Sequence, residues 1–180
     1  MLGLVLSANC YEPRPIFRMP DTEGIRMPHA LNFAIKIKQD ADTLNRLQKL
    51  EADFPKGIQQ KIDAALRESQ LVHFARVVVI DNKFLMVITE YDGDPMEYTE
   101  FFRQKLPDVF GLLFSFAENP PSKEALGDPD AFFELAKSCN YRSLGESDAG
   151  LKGVTNESEG YLFSATGEMP VTTILAKINQ

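Results

Sequence analysis

Cysteine and histidine are scarce in this sequence, two of each in 180 residues, and Cys10 and Cys139 belong to no CxxC or CxH cluster. A zinc or iron–sulfur site needs several such side chains gathered on one ion, so no metal centre is expected. Two distant cysteines are also too few for a disulfide framework, and the simplest reading is free thiols in a reducing, cytoplasmic setting. Positive charge is short as well: the net charge is −7. Between Thr89 and Gly150, thirteen Asp and Glu stand against five Lys and Arg. Such a surface repels phosphate backbones and anionic headgroups, so neither nucleic acid nor a membrane is expected as a partner. No stretch approaches the ~20 apolar residues of a spanning helix. The opening Met1–Cys10 lacks the positive start and long apolar run of an export signal.

Nucleophile and phosphate motifs are missing too. Ser143, Ser147 and Ser164 have no G-x-S-x-G context, and neither Gly153 nor Gly160 belongs to a phosphate-cradling loop. Asp92-Gly93-Asp94 is too short for a calcium loop and lacks its spaced oxygen ligands.

What is present is an ordinary globular composition, 44% apolar and 25% charged, at the length of a single domain. Pro13, Pro15, Pro20 and Pro28 mark residues 1–29 as an extended lead-in, which leaves residues 30–180 as one domain. From Ala30 to Lys38, Leu31, Phe33, Ile35 and Ile37 alternate with smaller or polar residues, the period of a strand with one buried face. Asp40 or Asp42 caps a helix carrying Leu44, Leu47 and Leu50, which breaks near Pro55-Lys-Gly57 before a second helical piece. Asp94-Pro95 opens a helix with Phe101, Phe102 and Leu106, and Val109–Phe116 is a further apolar run. A short helix is expected over Ala131–Ser138, a last strand over Gly160–Thr166 and a closing helix over Val171–Ile178.

Leu71–Gly93 reads as an apolar hairpin turning at Asp81-Asn82, residues that tolerate positive φ. A two-residue turn sets Ile80 opposite Lys83, which brings His73 opposite Glu90, with Arg76 on the other face. The resulting order is that of an α+β, ferredoxin-like βαββαβ antiparallel sheet, with helices on one face and extra helices after the second core helix. Both faces of the hairpin are apolar, so the uncovered face predicts a homodimer joined sheet to sheet.

Two groups of residues could carry function. His73 and Glu90, as cross-strand neighbours, have the chemistry of a general base or of a held metal-ligating imidazole. The Phe and Leu cluster from Phe101 to Phe116 exceeds what one amphipathic helix needs, and can line a pocket for a small hydrophobic or lipid-like molecule. The expected ligand contacts are His73, Arg76, Tyr91, Phe101, Phe110 and Phe114, with Arg76 suited to a ligand carboxylate.

His73-Phe-Ala-Arg-Val-Val-Val-Ile80 and Phe84-Leu-Met-Val-Ile-Thr-Glu-Tyr-Asp-Gly93 resemble a group of poorly characterised bacterial proteins. These carry an H-F-A-R strand, an apolar hairpin and a Y-D-G turn. The resemblance covers about residues 71–106 and implies a ferredoxin-like fold; some members are labelled putative lipid-binding. More remotely the architecture is similar to dimeric α+β barrels, among them haem-degrading monooxygenases and dye-decolorising peroxidases. That likeness implies, as the alternative, either a haem-related oxidoreductase or a cofactor-independent enzyme, using His73 and Glu90; composition and motifs themselves name no cofactor. The peroxidase G-x-x-D-G signature is absent.

Overall fold

The computed structural model describes residues 28–146 and 152–179. The lead-in, apart from Pro28 and His29, and Cys10 lie outside the described residues. Strand β1 (Pro28–Lys36) starts two residues earlier than its alternation suggests, and Leu31, Phe33 and Ile35 are buried on its inner face. Helix α1 (Ala41–Asp53) begins where the Asp40 carboxylate accepts hydrogen bonds from the Thr43 backbone N–H (2.9 Å) and hydroxyl (2.8 Å). Leu47 and Leu50 are its core contacts. Pro55 sits in a 3₁₀ turn, Phe54–Lys56, and α2 (Ile58–Ser69) restarts after Gly57, as expected of Pro-Lys-Gly.

Strands β2 (Val72–Ile80) and β3 (Phe84–Asp92) form the hairpin, and β3 lies at the centre of a three-stranded antiparallel sheet ordered β1-β3-β2. This is a split βαβ, with β1 and β2 parallel on either side of β3. Asp94 accepts from the N–H groups of Met96 and Glu97 and so caps α3 (Pro95–Lys105). The added helices follow: α4 (Pro107–Phe114), α5 (Lys123–Gly127), α6 (Pro129–Cys139) and the closing α7 (Val171–Ile178). The inner sheet face packs on Leu47, Leu50, Tyr98, Phe102, Leu113 and Phe132, so the core lies on one side of the sheet.

The expected fourth strand is not formed. Gly160–Thr166 makes no ladder; Tyr161 N–H donates to the Leu144 carbonyl, and Ser143 N–H to the Glu159 carbonyl. The alternation there has no buried face behind it, since Phe163 is 87% exposed. Gly160 holds φ +85, and a Cβ at that position would fall 2.0 Å from the Ser143 carbonyl oxygen, which excludes other residues. The edge of β1 where a fourth strand would pair is met by bridges from Asn140 to Phe33 and from Ala117 to Ile37.

The hairpin register also differs from expectation. Asp81 and Asn82 do take φ of 52 and 54, and Lys83 N–H closes the turn on the Ile80 carbonyl at 2.8 Å. The Lys83 carbonyl, however, accepts from Ile37 N–H of the β1 end (2.7 Å), so the ladder starts one residue later, with Ile80 opposite Phe84. The slip is absorbed by a bulge between Val72 and Phe74. As a result Glu90 faces Phe74, and His73 is the unpaired bulge residue.

Candidate functional site

The inner face of edge strand β2 does not meet the helices everywhere. A cleft of about 210 Å³ remains between it and α2, α3 and α4. Ala75 and Val77 of β2 with Val87 and Thr89 of β3 make its floor, because odd-numbered positions of both strands point inward in the observed register. Ile62 and Leu66 wall it from α2, Phe102 from α3, and Val109, Phe110 and Leu113 from α4. The opening exists because α2 is loosely seated: Ala65 is its one fully buried residue. Two ion pairs bridge α2 to the opposite wall, Lys61 to Asp108 at 3.8 Å and Glu68 to Lys105. Both are solvent-exposed, and such pairs hold a helix weakly.

Polar groups in the lining are few. The Thr89 and Tyr98 hydroxyls hydrogen-bond each other at 2.8 Å, which engages one of their two protons and leaves one O–H to donate elsewhere. Burial raises the Tyr98 hydroxyl above the ordinary tyrosine value, outweighing the lowering effect of Thr89, so it stays protonated near neutral pH. Gln59, Asp63 and Arg76 stand at the rim. The Asp63 carboxylate is held by Arg67 at 3.0 Å.

Of the residues expected to contact a ligand, the structure brings Arg76 and Phe110 to this cleft. Phe114 is in the core, edge-on to Phe33, and Phe101 packs against Phe102 beside it. Tyr91 is fully buried between His29, at 5.4 Å, and Tyr98, at 3.8 Å between ring centroids.

The expected pairing of His73 with Glu90 is replaced by another. The bulge carries the imidazole to Asp92, two residues further along the same face of β3, and His73 Nε2–H donates to Asp92 Oδ1 at 2.8 Å. The Asp92 side chain is buried and that of His73 is partly so, and Asp92 Oδ2 accepts from Val171 N–H at 2.7 Å, tying the start of α7 to the sheet. The second histidine behaves alike. His29 Nδ1–H donates to Glu159 Oε1 and Ala30 N–H to Glu159 Oε2, both at 3.1 Å. Both histidines therefore serve as fasteners for the segment 152–179. The second fastener was missed from the sequence, where Glu159 is one acid among many. Its one signal is the neighbouring glycine pair: a Cβ on Gly153 would collide with the Glu159 carboxylate.

Other hollows are less suited to a ligand. One of about 320 Å³ between α3, α4 and α5 is rimmed by Arg103, Asp108 and Lys123, and Arg103 is bonded to Glu100 and the Gly127 carbonyl. A second, also about 320 Å³, is an open surface hollow lined by Leu50, Phe54, Val77 and Val79, with Glu51 as its one charged residue. Haem does not fit the cleft. Its axial ligand would be Tyr98, whose hydroxyl is engaged and protonated, and the space is below the ~300 Å³ at which sites for drug-sized molecules begin. No cluster of three potential metal ligands exists among the described residues. No helix there is long and apolar enough to cross a membrane.

Comparison with known proteins found no match for this chain among family models, curated proteins or solved structures.

Proposed function

We propose that this protein binds a small hydrophobic molecule in the cleft between the sheet and α2, α3 and α4, as a carrier or sensor rather than a catalyst. The observation that carries the reading is an apolar space bounded by residues of both layers, with a weakly held helix as one wall. The polar groups of that space are a protonated hydroxyl pair and rim charges, a poor set for proton transfer and a good one for orienting an apolar guest. His73 and Glu90 lend no support to the enzymatic alternative, because the bulge separates them and Asp92 takes the imidazole. The resemblance of residues 71–106 to H-F-A-R proteins, some of which are labelled lipid-binding, points in the same direction.

The same reading includes a homodimer. The outer sheet face carries Val78, Met86 and Ile88 half-buried and Phe74 74% exposed. A second copy covering this face would bury the apolar patch symmetrically.

Native mass spectrometry of the protein purified gently from cells tests both parts. The expected spectrum is a dimer with a reproducible small added mass that disappears in Ala75→Phe, a substitution that fills the cleft floor. A monomer would remove the dimer from the account. An added mass that persists in Ala75→Phe would place the guest elsewhere.

A further inference from the structure

We infer that the guest is a neutral carbonyl compound, one ring or a comparably short hydrocarbon bearing a single ketone or ester, whose oxygen accepts from the Thr89–Tyr98 hydroxyl pair. This rests on the reading of the cleft as a binding site. Both residues belong to the cleft lining, Thr89 on the floor from β3 and Tyr98 from α3. Thr89 is 4% and Tyr98 6% exposed, so bulk water has little access to them. Their oxygens lie 2.8 Å apart, and neither has another hydrogen-bond partner among the described residues. Whichever hydroxyl donates in that bond, the other keeps a proton with no acceptor. Buried donors are seldom left unmatched. Because β3 is the central strand, the backbone beside Thr89 is paired on both sides, with β1 and with β2. The space from which an acceptor can come is the cleft.

Charge decides between a neutral acceptor and an anion. The walls around the pair are hydrocarbon, among them Leu66, Phe102, Val109 and Leu113. An ionised carboxylate brought in there would exchange its water for one O–H donor, which leaves most of its desolvation cost uncompensated. A ketone or ester oxygen meets the same donor with no charge to bury, and one free proton serves one acceptor. Burial keeps the Tyr98 hydroxyl protonated, so the donor is present at every pH near neutrality. The volume sets the size of the apolar body. A closed apolar cavity of roughly 150 Å³ holds benzene, so about 210 Å³ admits one ring with a short substituent.

The test is a methyl NMR titration of the full chain with two probes of one shape, acetophenone and α-methylstyrene, in which a methylene replaces the carbonyl oxygen. The variant Thr89→Val/Tyr98→Phe removes both hydroxyls and nearly keeps their shape, a change that leaves no group unmatched. The ratio of acetophenone to α-methylstyrene affinity is expected to fall about tenfold from wild type to variant, the size of effect of one buried hydrogen bond. A ratio that stays the same would overturn the hydroxyl pair as the point of recognition. Infrared spectroscopy of the wild-type complex reads the same bond without any substitution. The carbonyl stretch of bound acetophenone should lie below its value in hexane, and a stretch at the hexane value would overturn the hydrogen bond. Uptake of α-methylstyrene with no uptake of acetophenone would overturn the carbonyl assignment and leave the cleft reading standing. Binding of neither probe would overturn this inference together with the reading it rests on.

Discussion

Tyr91 and Tyr98 lie ring on ring, and their hydroxyls have opposite fates. Tyr98 shares a hydrogen bond with Thr89, whereas the buried Tyr91 hydroxyl has no partner among the described residues. Burial, with the Glu159 charge adding to it, raises the Tyr91 hydroxyl far above the ordinary value, so it remains a neutral, unsatisfied group. Tyr91→Phe is therefore expected to be neutral or to stabilise by up to about 1 kcal/mol, while Tyr98→Phe, which strands Thr89, should cost about 1 kcal/mol. Denaturant titration of the two variants side by side checks this, and a larger loss in Tyr91→Phe would show that its hydroxyl is satisfied. At this scale the sequence was only partly legible. His73 and Arg76 stand out because charge interrupts an apolar hairpin, but their partners depended on a one-residue bulge that leaves no mark in composition. Tyr91 sits beside the Y-D-G turn and reads as a contact residue, although the turn folds it inward.

Among the elements, those with a clear local cause were readable: the Asp40 and Asp94 caps, the Pro-Lys-Gly break between α1 and α2, and the Asp-Asn turn. What was not readable was decided by long-range pairing. The Lys83 carbonyl chose Ile37 over Ile80, and Gly160–Thr166 found residues 143–144 in place of β1. The same distance in sequence hides the tie between the sheet and α7. Asp92→Ala removes the acceptor of both His73 and Val171 N–H, leaving one buried and one partly buried donor unmatched. We expect it to cost about 3 kcal/mol and to raise amide exchange in α7 well before the sheet opens. Exchange that rises uniformly over the whole chain would contradict a local fastening role.

For the molecule as a whole, acid sensitivity follows from its carboxylates. The Thr43 hydrogen bonds hold Asp40 well below the usual carboxylate range, and the hydrogen bonds from Arg103 lower Glu100. Groups whose folded values are depressed contribute stability above the unfolded value of about 4, and lose it as the pH falls through their folded values. The melting temperature should therefore be flat near neutrality and fall below about pH 4, with a shallower fall in Asp40→Asn. A fall that begins well above pH 4, or one unchanged in Asp40→Asn, would contradict this origin. The α+β class and the single covered sheet face were visible from the period of the apolar residues. The open outer face and the cleft belong to the same arrangement of three strands under loosely seated helices.

The central claim is that this cleft takes up a small apolar guest. Its most direct test is a two-dimensional methyl NMR titration of the full chain with toluene. The account predicts saturable shifts centred on the methyl groups of Ile62, Val77, Val87, Val109 and Leu113, which line the cleft, and their loss in Ala75→Phe. Methyl resonances that do not move up to the solubility limit of toluene, or that move equally throughout the core, would contradict it.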